Sequence, residues 1–252
     1  MNIRTFFFQG LALSAITLVM PAGYASTSAP LKAKELPPSA FLEHSSALSS
    51  QPKRAPFQRV WQAEDLGIIA SKYQAIYIAP VNTQYLRPIN RPLVKILEGP
   101  FANNRPIAET TNLLHNDFAD AFKGSPLAHL KVANSPGPGV LTLEIALVDL
   151  NPTNVVGNAA RYGAPGGSAL APITKGNIAI EAKVRDSRSG KLLYEFADNE
   201  QDRFAIVSLR DLSSYGHSRV AMKEWAKGFE ELTRTTPDHK VPAQSSVTLN
   251  PF

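Results

Sequence analysis

Between residues 177 and 199 apolar and polar positions alternate with a period of two, stop at a run of short polar side chains, and then resume. Ile178, Ile180, Ala182 and Val184 fall on one side of an extended chain, while Glu181, Lys183 and Arg185 fall on the other. Asp186-Ser187-Arg188-Ser189-Gly190-Lys191 follows, with side chains that bond their own backbone and a glycine that accepts positive φ. Leu192, Tyr194 and Phe196 then restore the apolar side. The pattern predicts a β-hairpin with one buried and one solvated face.

Other stretches supply neighbours for it. Residues 140–150 form the longest strand candidate, with Leu141, Leu143, Ile145 and Leu147 on one face and Thr142, Glu144 and Ala146 on the other. Ala75-Ile76-Tyr77-Ile78-Ala79 is a continuous apolar run of the kind found where both faces of a strand are covered, and Pro80 limits it. A short strand fits residues 57–61, and a helical turn or two fits 65–73. Residues 93–97 are compatible with strand, helix or docked loop.

Helical spacing governs two segments. Pro106 suits a first turn, and Ile107, Thr110, Thr111, Leu114, Phe118, Ala121 and Phe122 recur on one face until Lys123-Gly124. In residues 218–234, Ala221, Trp225, Phe229 and Leu232 make an apolar stripe, with Lys227, Glu230, Glu231 and Arg234 facing solvent. Gly228 lies on the apolar side of that helix, which predicts close approach of a strand. The fold expected is α/β (α+β): a small mixed sheet of about four to five strands with a C-terminal β-hairpin, packed by two main helices.

Composition sets the compartment. Residues 1–25 read as a signal peptide, with Arg4 ahead of the uncharged stretch 6–20 and Gly23-Tyr24-Ala25 at the cleavage positions. An uncleaved anchor is the alternative, and the apolar stretch is shorter than the roughly 20 residues a span needs. Residues 26–38, rich in Ser, Ala and Pro, read as a flexible linker, 39–235 as a single domain, and 236–252 as a disordered tail. Within 39–44, Phe41 and Leu42 form an isolated apolar pair that is expected to dock on the domain itself rather than on a partner.

The 252 residues include no cysteine. That removes a disulfide framework, a thiol nucleophile, a cysteine zinc site and a lipid-modified cysteine, so the chain is not expected to be a lipoprotein. A net charge of +5, spread over 26 basic and 21 acidic residues, gives no basic stripe for nucleic acid.

Catalytic constellations are hard to find. His44, His115, His129, His217 and His239 lack partners at helical metal-pair spacing, no serine stands between glycines after a strand, and residues 163–168 lack the Lys-Ser/Thr pair of a phosphate loop. Asp149, Glu181, Asp186 and Glu195 could supply paired carboxylates. Cross-strand charge pairing with Lys183 and Arg185 on a solvated face is the ordinary account of Glu181 and Glu195. No catalytic residue, metal site or cofactor is therefore expected. The long Gly- and Pro-rich connection 151–176 is the candidate binding surface, with Arg161 and Tyr162 offering planar, low-entropy contacts to an envelope protein or a glycan.

The Ser39-Ala40-Phe41-Leu42 element, the strand at 73–81, the run ending Leu147-Val148-Asp149-Leu150-Asn151-Pro152-Thr153-Asn154 and the hairpin segment 180–193 together resemble the DUF3313 family of bacterial envelope proteins, over residues 38–235. The resemblance implies a bacterial envelope protein, many members looking like outer-membrane lipoproteins with no assigned activity; the function expected of this chain is that of an exported, periplasmic, non-enzymatic binding or accessory protein. The absent lipid-attachment cysteine is a departure from many of its members. An envelope hydrolase or glycan-modifying enzyme built on fold-assembled carboxylates, and a structural subunit of an envelope complex, are the alternatives.

Overall fold

A computed structural model describes residues 36–50, 55–88, 105–151, 177–201 and 216–234. The predicted hairpin is its centre. Strand β6 (Asn177–Asp186) turns into β7 (Leu192–Gln201), and β6 also pairs antiparallel with β5 (Val140–Asn151) along its whole length. At the turn, Asp186 accepts the Gly190 N–H at 2.9 Å on its carbonyl and donates its own N–H to Lys191 at 2.9 Å. Gly190 sits at φ 72°, a conformation that a Cβ disfavours.

The sheet extends on both sides of these three strands. β2 (Arg59–Gln62) pairs antiparallel with β7, and the two-residue β1 (Ser49–Ser50) lies outside it. On the far side β3 (Ala75–Ile78) runs parallel to β5, and the two-residue β4 (Lys131–Val132) runs parallel to β3. The order is β1-β2-β7-β6-β5-β3-β4, seven strands where four to five are expected from the sequence. Neither two-residue edge strand is long enough to show a period. Beyond β3 the chain keeps following β5, with Asn82 N–H bonded to Ile145 O at 2.8 Å and Arg87 N–H to Val148 O at 3.0 Å.

Helices cover one face, here the inner one. A short α1 (Leu66–Ile69) precedes β3, while α2 (Arg105–Gly124) and α3 (Gly216–Arg234) pack on each other and on the sheet. Leu143, Ile145, Leu147, Ile178, Ile180, Ala182, Val184 and Phe196 meet Leu114, Phe118, Met222, Trp225 and Phe229 in one buried cluster. Phe229 is its hub: its ring lies 5.5 Å from that of Phe196 and 6.0 Å from those of Phe118 and Phe122. Aromatic pairs at these separations add to what burial alone contributes.

Two expectations for α3 need correction. Glu230, placed by spacing on the solvent face, is 2% exposed and pairs with Arg234 at 2.8 Å, one turn further on. What approaches Gly228 is the ring of Pro56 rather than a strand: a Cβ there would stand 3.0 Å from Pro56 Cγ. The Gly228 difference arises because the bend before β2 closes over the helix there, a contact between distant parts of the chain.

Candidate functional site

The opposite, outer face of β5, β6 and β7 is where the structure departs most from the pattern. It carries Glu144, Glu181, Lys183, Arg185 and Glu195 and was expected to be solvated. Instead Glu181 is 2% exposed and Glu195 is fully buried. Alternation assigns a residue to a side of a strand, but says nothing of what covers that side.

The cover is the segment 36–48, a strap laid across the outer face. Ser39 donates its main-chain N–H to Glu181 Oε1 at 2.7 Å and its hydroxyl to Oε2 at 2.5 Å. Glu43 and His44 donate their N–H groups to the two oxygens of Glu195, at 2.7 and 2.9 Å, and His44 Nδ1 stands 3.2 Å from Glu195 Oε2. The His44 ring stacks on Trp61 at 3.8 Å. Between these anchors Phe41 and Leu42 bury themselves against Ala146, Val148, Ala179 and Ala197. The apolar pair therefore docks on its own domain, as expected.

Charges complete the strap. Lys183 Nζ lies 4.2 Å from the Phe41 ring centroid and 3.3 Å from Glu144, and the Arg185 guanidinium binds Glu43 of the strap. Partial burial alone would push the Glu43 carboxyl up; the Arg185 hydrogen bond and the Arg185 and Lys183 charges outweigh it and hold the group below its ordinary range. Arg59 and Arg87 donate to the carbonyls of Leu36 and Pro37, fixing the start of the strap. A buried carboxylate that accepts two main-chain N–H groups has its desolvation offset by charge-assisted hydrogen bonds.

Each of the four carboxylates considered for acid–base chemistry thus has a structural task. Asp149 accepts from Asn151 Nδ2 at 2.6 Å and from Asn177 Nδ2 at 2.8 Å. Asp186 accepts the Ser189 N–H at 2.7 Å, the Ser189 hydroxyl at 2.8 Å and the Tyr73 hydroxyl at 2.9 Å. The Ser189 bonds are the main cause of its carboxyl falling to about 2. Burial, helped by Asp186, raises the Tyr73 hydroxyl. Among the described residues no group of three or more His, Asp or Glu could hold a metal ion. His115, on α2, has Nε2 3.2 Å from the Ile78 carbonyl.

Arg161 and Tyr162 lie outside the described residues, as do 1–35, 89–104 and 202–215. The two ends of their connection are described. Asn151 and Asn177 sit opposite each other in the β5–β6 ladder, and Asn177 is also opposite Gln201 of β7. Connection 152–176 and the chain after Gln201 therefore leave from the same end of the sheet, with Asp149 bridging the two asparagines at the neck. No helix among the described residues is long and apolar enough to cross a membrane.

The family model described as "Protein of unknown function (DUF3313)" matches residues 37–229, a span that includes the strap from Pro37 onward. No curated protein matches the chain. Among solved structures the chain is similar to the PelC dodecamer from Paraburkholderia phytofirmans, at 8% identity over 62% of this chain and 89% of that one, with a TM-score of 0.35. It is similar to the hypothetical protein CT253 from Chlamydia trachomatis, at 12% identity over 64% of this chain and 98% of that one, TM-score 0.37. A third is protein XCC0632 from Xanthomonas campestris, at 15% identity over 64% of this chain and 85% of that one, TM-score 0.37.

Proposed function

We propose a function for this chain as a member of the DUF3313 family, to which it belongs: an exported, periplasmic binding or accessory protein of the bacterial cell envelope that is not an enzyme. In this reading residues 1–25 are an export signal, 26–38 a linker whose last three residues begin the strap, 39–235 the working domain and 236–252 a tail. The observation that carries it is the commitment of Asp149, Glu181, Asp186 and Glu195 to hydrogen bonds that hold the fold together. A hydrolase built on separated carboxylate pKa values would need two of them facing a substrate. Binding needs only a surface.

The surface proposed is the sheet end from which 152–176 departs, with Arg161 and Tyr162 as the contacting residues. The Asn151–Asn177 rung supports it by tethering both ends of the connection to the most deeply paired strands. An envelope protein or a glycan is the partner class. The test is crosslinking capture from intact cells with the chain tagged after Phe252, comparing wild type, Arg161→Ala/Tyr162→Ala and a deletion of 159–171. Loss of a reproducibly captured envelope component, with unchanged melting of the variants, is the expected result. Capture that persists in the deletion removes this surface.

A further inference from the structure

A bulge changes which residues of β5 face outward. Pairing with β6 slips between Leu147 and Asp149, so Val148 has no partner across that ladder. Ala146 and Val148 pack in the outer cluster, while Leu147 and Leu150 pack in the inner one. Asp149 and Asn151, which strict alternation from Leu147 would send inward under the helices, therefore emerge on the strap side of the sheet. There Asp149 accepts from Asn177 of β6, and its ladder partner Ala179 stands opposite Asn199 of β7. Bulges are over-represented next to functional sites, where they re-aim a side chain.

The chain that follows β5 closes this corner. The Arg87 N–H binds the carbonyl of the bulged Val148 at 3.0 Å, and its guanidinium donates to Pro37 while that of Arg59 donates to Leu36. Arg59, Arg87 and Asn199 line a pocket of about 220 Å³ over Val148, Ala179 and Ala197, with room inside for one group the size of a water molecule or hydroxyl. Two buried polar atoms of this corner have no hydrogen-bond partner among the described residues: Arg87 Nη1, a donor, and Asn177 Oδ1, an acceptor. Buried polar atoms left unpaired are costly, which makes both of them places for a ligand atom.

The chemistry of the corner narrows the ligand. Asn151 and Asn177 turn their amide NH2 groups, not their oxygens, toward Asp149, so no oxygen cage for a cation forms around it. Glu181 and Asp198 also line the pocket and repel an anion. Protein partners are held chiefly by aromatic and apolar anchors, and among the described residues the exposed large apolar side chain is Leu127, which follows α2 at the hairpin end of the sheet. A hydroxyl both donates and accepts, so one kind of group serves a guanidinium N–H and an amide oxygen alike.

We infer that this corner is a glycan-binding site, in which Arg59, Arg87, Asp149, Asn151, Asn177 and Asn199 bind the hydroxyl groups of an envelope polysaccharide and one hydroxyl enters the pocket. The inference rests on the reading of this sheet end as the binding surface and names the partner class. It adds a recognition surface built from the strands themselves, apart from Arg161 and Tyr162.

The test titrates the full, nitrogen-labelled chain with the glycan pool released from purified envelopes by mild hydrolysis and freed of protein and lipid. The side-chain amide resonances of Asn151, Asn177 and Asn199 are expected to shift together. Arg87→Met and Asn177→Ala, each removing one hydrogen-bond partner, are expected to weaken binding about tenfold with cooperative melting retained. Arg87→Met also frees the Pro37 carbonyl, so if it melts poorly Asn177→Ala, which leaves the strap untouched, decides. Unmoved amide resonances overturn the inference, as does full affinity in Asn177→Ala or capture of an envelope protein without glycan binding. The deletion of 159–171 separates this site from the reading it rests on. Glycan affinity that survives the deletion supports the corner even where capture is lost; affinity that vanishes in the deletion and persists in Asn177→Ala assigns recognition to Arg161 and Tyr162 and overturns the corner.

Discussion

Ser39 gives both its N–H and its hydroxyl to the carboxylate of Glu181, 142 positions later in the chain, at 2.7 and 2.5 Å. That bond, with its counterpart at Glu195, makes the first described residues of the chain the lid of a sheet whose strands come mostly from its second half. The carboxylates most open to a catalytic reading are therefore the clasps of a structural element.

Removing a clasp should loosen the strap before it unfolds the domain. Glu195→Ala takes the acceptor from two main-chain N–H groups and from the His44 ring, and hydrogen bonds to a charged group are worth about 1.5–3 kcal/mol. A loss near 2 kcal/mol in urea denaturation is expected, with hydrogen exchange rising first in 36–48. Unchanged exchange in that segment would show that Glu195 does not hold it.

Phe41→Ala should act on the same element through packing. The ring is 6% exposed, lies edge-on to Tyr85 at 5.5 Å and sits under Lys183. Core Phe→Ala changes cost about 3–5 kcal/mol, and about 2 is expected here because the strap can lift and its floor is small. Limited proteolysis within 36–48 should accelerate in step with the loss in chemical denaturation.

Acid should weaken the hairpin turn. The folded Asp186 carboxyl, at about 2, lies below the ordinary aspartate value of 3.8, so its contribution is complete above the unfolded value and is lost as pH falls through the folded one. Stability should fall between about pH 4 and pH 2, and Asp186→Asn should flatten that part of the profile. Thermal melts across the range read both.

At Gly228 two effects oppose each other. Alanine gains about 1 kcal/mol of helix propensity, but its Cβ meets the Pro56 ring at 3.0 and 3.2 Å, and overpacking of this kind costs about 1–3 kcal/mol. Because a proline ring yields little, Gly228→Ala should lower the melting temperature. Adding Pro56→Ala should recover it, and a double variant no better than the single would place the cost elsewhere.

Tyr194 should be improvable. Its hydroxyl is buried among the described residues without a hydrogen-bond partner, and burial raises its pKa. Tyr194→Phe removes an unsatisfied polar group at constant shape, so a gain of about 1 kcal/mol is expected by denaturant titration.

Period and spacing alone identify β5, the hairpin, α2 and most of α3, because the side a residue faces is set by local backbone geometry. Ile178, Ile180, Ala182 and Val184 were bound to share a side whatever lay above them. The two-residue strands β1 and β4 carry no period, and they exist only because β2 and β3 offer open ladder groups. The dual burial of β6 was hidden for a related reason. Glu181 and Glu195 look like solvent residues in any local window, and they become interior ones only when a strap from residue 39 brings N–H donors to them. Local chemistry decided which residues share a face; long-range contact decided which faces meet water, because a charged side chain can be buried only when distant backbone supplies the bonds that water would otherwise make.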